Sequence, residues 1–352
     1  MKRRTWKMIL ACISVSVALT LRIRDRYQHM IREETSECTG SVECNHDDNP
    51  VNILVFARKR TGSKLTARYI ASHPDVFYVY EPGFMVADHF TKMKGKESNE
   101  FLEGIRPKLI DFLDSIFHCN FTSHPYFIWY LNNVDMFEKR GEYNLTHPIT
   151  METITDLCVS KRHKLVKVIR LDRLLLTEPL LKRHNVKVIH LVRDPRGTAK
   201  SRKEFEGSLK KLAGNEDQSL ERDVLEKEIG DVCKWMEVNY ADGKEGSKWM
   251  KKNYMWVRYE DIADRPWMAV PKMYNFLNLS LPITIDEVMN SKMEFLPNNG
   301  EAWRTHAQFK TVKMIQEICG TSIFEKFGYQ IVNASRELVS RDNELVIHME
   351  QL

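Results

Sequence analysis

The feature that most restricts the fold is a short apolar run that ends in a cluster of basic residues. Residues 51–56 (VNILVF) are rich in β-branched side chains, which is typical of a strand buried on both faces. Residues 57–62 (ARKRTG) follow, and apolar residues at roughly helical spacing begin at Leu65. A strand that stops at a glycine and restarts as a helix leaves unpaired N–H groups, and the helix dipole favours an anion there. The three cations before Gly62 therefore predict a phosphate or sulfate site.

Two common phosphate-binding patterns do not match this loop. The Walker pattern requires Gly-Lys-Ser/Thr with another glycine five residues earlier, whereas Ser63 separates Gly62 from Lys64 and position 57 is Ala57. The dinucleotide pattern requires three spaced glycines, and this loop contains one. The sequence therefore argues against an ordinary kinase loop and against a nicotinamide site. It assigns the anion mainly to Arg60, Ser63, Lys64 and backbone N–H groups.

A second stretch repeats the arrangement about 130 residues later. Residues 187–203 (KVIHLVRDPRGTAKSRK) contain a predicted strand at Val188–Val192, then Arg193 and a helix that carries Ser201. Between residues 161 and 203 there are fourteen Lys or Arg against three Asp or Glu, although the net charge of the whole chain is only +5. Positive charge is therefore concentrated near the two loops. This predicts a ligand with anionic groups at both ends rather than a solvated helix face.

The two loops resemble motifs of the Golgi carbohydrate sulfotransferases, in the branch that sulfates 6-hydroxyls of galactose, N-acetylglucosamine or N-acetylgalactosamine. RTGSK at residues 60–64 is similar to the 5′-phosphosulfate motif of that family, and VIHLVRDPRGTAKSR at residues 188–202 is similar to its 3′-phosphate motif. The similarity extends from about Val51 to Tyr329. It includes Tyr80-Glu81-Pro82, residues 167–171, residues 257–261, Trp303-Arg304 and residues 315–329. Lys64 departs from the pattern, because the family usually has a second serine there.

The resemblance implies that the donor is 3′-phosphoadenosine 5′-phosphosulfate (PAPS) and that the acceptor is a glycan or proteoglycan. It implies that Arg60 acts on the bridging and leaving oxygens and that Arg193 and Ser201 bind the 3′ phosphate. Arg196 and Arg202 either contact the donor or are exposed. The first-loop residues expected to bind the donor are Arg58, Lys59, Arg60, Thr61, Gly62, Ser63, Lys64 and Leu65. At Lys64, the extra charge either strengthens donor binding or replaces a hydroxyl that the reaction needs.

Sulfuryl transfer resembles phosphoryl transfer in geometry, and it requires positioning, electrostatic stabilisation and a base for the acceptor hydroxyl. Glu81 is the leading candidate for the base, because it ends a predicted strand and a parallel sheet gathers ligand groups at strand ends. The alternative is a carboxylate paired with a nearby arginine. His89, His124 and His306 are secondary candidates. Fixed cations suffice for the lower charge of a sulfuryl group, so no metal is expected.

Strands that alternate with helices predict an α/β fold, with a P-loop-like, doubly wound parallel sheet flanked by helices. The predicted strands are residues 51–56, 75–80, 164–171, 188–192 and 254–259. The predicted helices are residues 174–184, a segment within 205–246, and residues 271–277 and 310–327. The apolar stripe of the second helical segment is Leu220, Val224, Ile229, Val232, Cys233 and Met236. The aromatic residues of the 85–150 insertion are either acceptor contacts or core: Phe121, Tyr126, Phe127, Trp129 and Tyr130.

The N-terminus predicts a membrane anchor. Basic residues precede the uncharged apolar stretch Met8–Leu21, which favours a cytosolic N-terminus and a lumenal catalytic domain. A cleaved signal peptide is the alternative. The predicted organisation is residues 1–7 cytosolic tail, 8–23 transmembrane signal anchor, 24–50 lumenal stem, 51–332 sulfotransferase domain and 333–352 C-terminal tail. Together with the resemblance, this organisation predicts a single-pass type II protein of the Golgi membrane.

Cysteine usage and glycosylation signals agree with a lumenal domain. Beyond Cys12 there are six cysteines, an even number that fits an oxidising compartment. A local Cys38–Cys44 bridge is one expectation, and free buried thiols are the alternative for several of the others. Asn-x-Ser/Thr triplets begin at Asn120, Asn144, Asn278 and Asn333.

Three other functions are alternatives to that of a sulfotransferase. A catalytically silent homologue that binds donor or anionic glycans is supported only by Lys64. A nucleotide kinase is disfavoured by the missing Walker pattern and by the predicted anchor. Nucleic-acid binding is disfavoured because the basic residues lie at strand–helix corners without an aromatic–basic repeat. The oligomeric state does not follow from the sequence.

Overall fold

The computed structural model describes residues 49–91, 98–133, 148–213, 221–282, 300–340 and 342–347. The predicted cytosolic tail (1–7), the predicted anchor (8–23) and nearly all of the predicted stem (24–48) lie outside these residues, so they stay predictions. In the part of the chain that the structure describes, no helix has both the length and the apolar character needed to cross a bilayer.

The described chain alternates between parallel strands and helices. The strands are β1 (Asn52–Phe56), β2 (Val76–Tyr80), β3 (His163–Val168), β4 (Val186–Val192) and β5 (Tyr254–Arg258). The helices before β4 are α1 (Ser63–Ala71), α2 (Pro82–Thr91), α3 (Asn99–Phe117), α4 (Pro125–Asn133), α5 (Met151–Ser160) and α6 (Glu178–Arg183). Those after β4 are α7 (Pro195–Ala213), α8 (Glu221–Glu245), α9 (Lys248–Lys252), α10 (Tyr259–Asp264), α11 (Pro266–Leu277), α12 (Phe309–Cys319), α13 (Thr321–Lys326) and α14 (Ser335–Val339). A short 3-10 helix spans Ala302–Thr305.

The sheet has the order β2-β3-β1-β4-β5, with all neighbouring strands parallel. From β1 the chain first builds one side of the sheet and then returns to build the other, which confirms the predicted parallel α/β architecture flanked by helices. Phe56, the last residue of β1, pairs with Val168 of β3 and with His190 of β4. The loops after β1 and β4 therefore lie side by side at the carboxyl edge of the sheet, where such folds bind ligands.

Central strand β1 is buried as its apolar sequence predicts. Residues 53–56 have no exposed surface, because strands lie on both sides of β1 and helices cover the sheet. The predicted strands are all present, with bounds that differ by one to three residues. The largest difference is at β3, which ends at Val168 rather than at residue 171.

The predicted helices differ more from the structure. Gly320 interrupts the predicted helix 310–327, and its φ of +73° separates α12 from α13. The stripe on α8 was wrong at Val224, which is 43% exposed. Val224 lies five residues before buried Ile229, so the helix turns the side chain of Val224 away from the buried face. Leu225 lies on the buried face instead and packs on the core. Leu220 lies outside the described residues.

The aromatic insertion is mostly core. The buried members of the predicted group are Phe121, Tyr126, Phe127 and Tyr130. Trp129, on α4, is 54% exposed. The insertion therefore supplies a helical layer with an apolar interior, and the core alternative holds for four of the five aromatic residues.

Two disulfides connect helices of the described chain. Cys119 pairs with Cys158, which joins the end of α3 to α5, and Cys233 pairs with Cys319, which joins α8 to α12. The expectation of disulfide bonding is thus confirmed for four of the six cysteines. The expected Cys38–Cys44 bridge lies outside the described residues.

The segment assigned from sequence as a C-terminal tail packs onto the domain where it is described. Leu338, Leu345 and Val346 are buried, and Tyr329 forms an isolated antiparallel bridge with Val346. Arg304 donates hydrogen bonds to the carbonyl oxygens of Leu338, Ser340 and Asn343. These contacts make residues 334–340 and 342–347 a structural part of the domain rather than a separate tail.

Candidate active site

The first basic loop leaves β1 and is shaped by two residues in the left-handed region. Arg60 has φ +68° and Gly62 has φ +90°. A Cβ atom on Gly62 would lie 2.1 Å from Cδ2 of Tyr259, so only glycine lets the backbone pass this close to the ring. The hydroxyl of Thr61 donates to the carbonyl oxygen of Arg58 at 2.7 Å and closes the turn. The loop thus presents Arg60 from a strained backbone, a feature that accumulates at functional sites.

The second basic loop contacts the first directly. Arg193 donates from Nη1 to the carbonyl oxygen of Arg60 at 2.9 Å, and its guanidinium lies 4.3 Å from the ring centre of Tyr259. Arg60 donates from Nε to the hydroxyl of Ser201 at 3.0 Å. Three residues that the sequence singled out in two distant segments, Arg60, Arg193 and Ser201, are therefore brought together.

The charges at this junction favour an anion. Arg60 is exposed to solvent, yet crowding by protein atoms and the charge of Arg193 lower the pKa of its guanidinium. A lowered pKa of an arginine means that its positive charge is destabilised where it lies. An anion placed between Arg60 and Arg193 would remove that destabilisation, as phosphate and sulfate groups do in arginine-rich sites.

Two buried N–H donors also lie at the second loop, next to the first turn of α7. The Nε–H of Arg193 and the Nε1–H of Trp303 lack a hydrogen-bond partner among the described residues. Both border Gly197 in the first turn of α7, where a Cβ atom would lie 2.8 Å from Cδ1 of Trp303 and 3.3 Å from Nε of Arg193. Buried N–H groups normally have partners, so these two suit a ligand oxygen at the start of the helix.

The other predicted donor-binding residues have different surroundings. The side chain of Arg58 is buried, and its guanidinium carbon lies 5.9 Å from the ring centre of Trp235. Thr61 and Ser63 are buried in the loop and first helical turn. Those that are half-buried are Lys59, Gly62, Lys64 and Leu65. Arg60 is thus the exposed cation of the loop, whereas neighbouring Arg58 belongs to the interior.

Arg196 and Arg202, left open by the sequence, are both buried. Arg196 forms a two-pronged pair with Asp194 and also donates to Gln316 and to the carbonyl oxygen of Gln330. Arg202 donates to Glu228 at 3.1 Å. Their charges are therefore compensated within the protein, and the two residues support α7 rather than reach solvent.

Glu81 lies at the end of β2 with φ +50°, and it is buried. Its Oε1 accepts from Nη1 of Arg170 at 3.0 Å, and its Oε2 accepts from the N–H of Ile169 at 3.0 Å. Nζ of Lys167 lies 3.2 Å from Oε2. The paired carboxylate, which the sequence left as the alternative, is thus what the structure shows, and the role of Glu81 as a base stays a prediction.

The secondary base candidates lie in two different places. His89 stacks on the ring of Tyr126 with centres 4.6 Å apart, and His124 contacts the same ring edge-on. Burial lowers the pKa of His124, so it is neutral at physiological pH. His306 is exposed and contacts Thr305. His89 and His124 therefore belong to the helical layer formed by α2, α3 and α4.

Sequence reasoning missed a buried acid beneath the second loop. Glu260 accepts from the backbone N–H of Asp194 at 3.1 Å and from the hydroxyl of Tyr329 at 3.0 Å. Burial, together with the charge of Asp194, raises the pKa of Glu260 to about 7. The one sequence feature that could have indicated Glu260 is the segment 257–261, which was noted only as part of the family resemblance. Glu260 links the loop that carries Arg193 to the C-terminal part of the domain.

We expect Glu260 to make stability depend on pH. Because its pKa is higher in the folded chain than the ordinary value of 4.5, its stabilising contribution is present below about pH 4.5 and is lost as the pH rises through about 7. The loss is on the order of 3 kcal/mol. Urea unfolding at about pH 5 and about pH 8 should show a smaller difference for Glu260→Gln than for the parent. Glu317→Gln, at an exposed carboxylate, is the matched control, and an equal difference in all three proteins would contradict the prediction.

Comparison with known proteins agrees with this geometry. The model of the sulfotransferase domain family matches residues 50–316. Carbohydrate sulfotransferase 5 from Mus musculus is 25% identical over 342 residues, covering 84% of this chain and 84% of the relative. Carbohydrate sulfotransferase 3 from Rattus norvegicus is 23% identical over 381 residues, covering 95% of this chain and 78% of the relative.

The solved structures that are similar to this chain include sulfotransferase STF9 from Mycobacterium avium. Its TM-score is 0.44 and its identity is 14%, with 87% of this chain and 82% of that chain covered. Mouse sulfotransferase SULT7A1, complexed with PAP, has a TM-score of 0.43 and 12% identity over 80% of this chain and 88% of that chain. The family model covers well over half of the chain. The chain therefore belongs to the sulfotransferase family, as the resemblance of its two basic loops predicted, and it is an enzyme of the carbohydrate sulfotransferase type.

Proposed function

We propose that this protein transfers a sulfuryl group from PAPS to a sugar hydroxyl of a glycan or glycosaminoglycan, at the 6-hydroxyl of galactose, N-acetylglucosamine or N-acetylgalactosamine. The observation that supports it most is the convergence of Arg60, Arg193 and Ser201 at the carboxyl edge of the sheet. PAPS carries anionic groups at both ends, and two basic loops joined by direct hydrogen bonds offer cations to both. The relatives named above carry carbohydrate sulfotransferase in their names, which supports a glycan acceptor.

In the proposed reaction, the acceptor oxygen forms a bond to sulfur while the bond between sulfur and the bridging oxygen breaks, and 3′-phosphoadenosine 5′-phosphate leaves. Arg60 stabilises the charge that develops on the bridging and leaving oxygens. The 5′ phosphosulfate is surrounded by Thr61, Gly62, Ser63 and Lys64. The backbone N–H groups at the start of α1 donate hydrogen bonds to the same group. All of these groups are fixed by the protein, so we propose that no metal is needed.

Arg193 and Ser201 bind the 3′ phosphate in this proposal. The partnerless Nε–H of Arg193 and Nε1–H of Trp303 suit its oxygens, and the stacking of Arg193 on Tyr259 holds the guanidinium in place. Donor binding exchanges the hydrogen bond between Arg60 and Ser201 for contacts to the ligand. The strained φ of Arg60 then serves to hold its side chain between the two anionic ends.

Glu81 is proposed to take the proton of the acceptor hydroxyl. Ile169, Arg170 and Lys167 hold the carboxylate at the end of β2, and the φ of +50° at Glu81 is a strained position like that of Arg60. We expect Glu81→Gln to lower kcat by about 10²- to 10⁴-fold while binding of 3′-phosphoadenosine 5′-phosphate is retained. Normal turnover of this variant would contradict the role of Glu81 as the base and would show that it serves to neutralise Lys167 and Arg170.

Lys64 is proposed to strengthen donor binding. It is half-buried in the first turn of α1, where a cation adds to the field of the helix N-terminus. We expect Lys64→Ser to raise KM for PAPS about fivefold and to leave kcat unchanged, because the lost attraction is on the order of 1 kcal/mol. An increase in kcat would instead show that Lys64 replaces a hydroxyl that the reaction needs.

A lumenal location in the Golgi, with a type II anchor, is part of the proposal. The two disulfides are consistent with an oxidising compartment. The three triplet asparagines within the described residues, Asn120, Asn278 and Asn333, are all exposed, as glycosylation requires. Asn144 lies outside the described residues.

The test is transfer of radiolabelled sulfate from PAPS by the lumenal part, residues 28–352, to acceptors that end in galactose, N-acetylglucosamine or N-acetylgalactosamine. We expect labelling of one acceptor class, with its position mapped to the 6-hydroxyl. Binding of 3′-phosphoadenosine 5′-phosphate without transfer to any acceptor would favour the catalytically silent homologue. Absence of both binding and transfer would overturn the proposal.

A further inference from the structure

A second cluster of chemically reactive side chains lies in the helical layer, and the function proposed above does not use it. Asp114 and His118 are four residues apart near the end of α3, and His184 directly follows α6. One ligand atom from each residue lies within 4.8 Å of the others. Nε2 of His184 lies 2.8 Å from Oδ1 of Asp114, and Nδ1 of His118 lies 3.3 Å from Oδ2.

These separations suit a small divalent cation. Ligand atoms about 2.0 Å from a tetrahedrally coordinated ion are about 3.3 Å from each other. The four-residue spacing of Asp114 and His118 places both on one face of α3, so that neither needs to change its backbone. His184 is only 7% exposed, whereas His118 is 55% exposed, so the cluster has a fixed inner ligand and an open outer side for water.

The carboxylate of Asp114 is the group that joins the cluster, because both histidines and Arg183 contact it. Partial burial of Asp114 opposes ionisation, but the hydrogen bond from His184 and the charges of His118, His184 and Arg183 outweigh it and lower the pKa of Asp114. Nδ1 of His118 also lies 3.0 Å from the backbone carbonyl oxygen of Asp114. An ion would replace this contact and the contact between His184 and the carboxylate, because a ligating nitrogen must be unprotonated.

Arg183 is a charged side chain of the described chain that competes with a cation for Asp114. Its Nη1 lies 3.0 Å from Oδ1, but the side chain is 63% exposed. An exposed ion pair contributes little to stability, so the guanidinium can move into solvent at little cost. Its presence weakens a cation site without blocking it.

The cluster is distant from the proposed donor site. His184 lies two residues before the start of β4, and its carbonyl oxygen accepts from Nδ2 of Asn52, the first residue of β1. It therefore belongs to the amino edge of the sheet, whereas Arg60 and Arg193 follow the carboxyl ends of β1 and β4. The seven residues of β4 span about 20 Å between these edges.

We propose that Asp114, His118 and His184 form a binding site for a divalent transition-metal ion, with zinc as the ion that the ligands suit. Two imidazoles and one carboxylate favour ions of the zinc type over calcium or magnesium, which prefer oxygen ligands. The ion ties the end of α3 to the turn between α6 and β4, next to the Cys119–Cys158 disulfide. Its role is to stabilise the fold, and it takes no part in sulfuryl transfer.

The test is calorimetric titration of the full chain with zinc chloride, together with thermal unfolding with and without the ion. We expect one zinc ion per chain at this cluster and a higher thermal midpoint in its presence. His118→Gln, at an exposed ligand that the fold does not need, should weaken that binding at least tenfold and remove the thermal shift. His306→Gln, at an exposed histidine outside the cluster, is the matched control and should bind as the parent does.

Two further measurements locate the ion. Arg183→Ala should bind zinc about two- to fivefold more tightly, since it removes the competitor for Asp114. Cobalt in place of zinc should give visible absorption bands that disappear in His118→Gln. The proposal is overturned if the parent does not bind zinc, if His118→Gln binds it as the parent does, or if Arg183→Ala binds it more weakly. None of these outcomes depends on sulfotransferase activity.

Discussion

We expect Arg60→Ala to lower kcat for sulfuryl transfer by about 10²- to 10³-fold, the effect of removing one fixed group that stabilises developing charge. Arg60 is the exposed cation of the first loop, and its Nε contacts the hydroxyl of Ser201 across the junction of the two loops. Its truncation removes the exposed hydrogen bond to Ser201 and a charge that is destabilised where it lies. Folding should therefore be unaffected, with a thermal midpoint within about 2 °C of the parent.

The measurement is the initial rate with radiolabelled PAPS at saturating acceptor, with unfolding followed in parallel. Arg60→Lys keeps the charge but loses the planar guanidinium, so its rate should lie between those of the parent and Arg60→Ala. Arg183→Ala removes an exposed arginine at the opposite edge of the sheet and is the control that should keep the parental rate. A rate for Arg60→Ala above a tenth of the parental rate would argue against a catalytic role.

Arg258→Ala should have the largest effect on stability. The guanidinium of Arg258 is fully buried, and it donates to both carboxylate oxygens of Asp261 at 2.6 and 2.8 Å. It also donates to the carbonyl oxygens of Phe327, Gly328 and Ile347, which fixes the C-terminal segment against β5. Burial alone would lower the pKa of Arg258, but the hydrogen bonds and charge of Asp261 raise it, so the group is charged throughout the accessible pH range.

Truncation would leave the carboxylate of Asp261 buried without its partner. It would also remove the Arg258 donor from the carbonyl groups of Phe327 and Ile347, whereas the carbonyl of Gly328 keeps the N–H of Ile347 as a donor. The expected loss in the free energy of unfolding is about 3–5 kcal/mol, measured by urea unfolding. The double variant Arg258→Met, Asp261→Leu should be less destabilised than the sum of the two single variants, because no unpaired charge remains. Arg183→Ala, in metal-free buffer, should cost no more than about 1 kcal/mol. A loss below that value for Arg258→Ala would contradict the expectation.

The local chemistry of the chain was enough to predict the strands and the nature of the two loops. β1 is apolar from Ile53 to Phe56 and includes the β-branched residues Ile53 and Val55, so its burial on both faces was predictable, and the basic residues that follow it pointed to an anion. Boundaries were less predictable where one residue sets the backbone, as Gly320 does between α12 and α13. The prediction that Val224 belongs to the apolar stripe of α8 was wrong, because five residues of helix separate it from Ile229 and turn its side chain away from the buried face.

The sequence by itself determined the parallel α/β fold with two basic loops at strand–helix corners, because strand, glycine and cations are adjacent in the chain, and its motifs resembled those of the sulfotransferase family. Only the tertiary structure decided which of those cations are exposed and which are buried. Arg58 and Arg60 are two residues apart, yet one is buried near Trp235 and the other is exposed beside Ser201. The pairing of β1 with β4 brings Arg193 to Arg60, and the pairing of β2 with β3 is what supplies Lys167 to Glu81. Such contacts join residues far apart in sequence, so no local pattern encodes them.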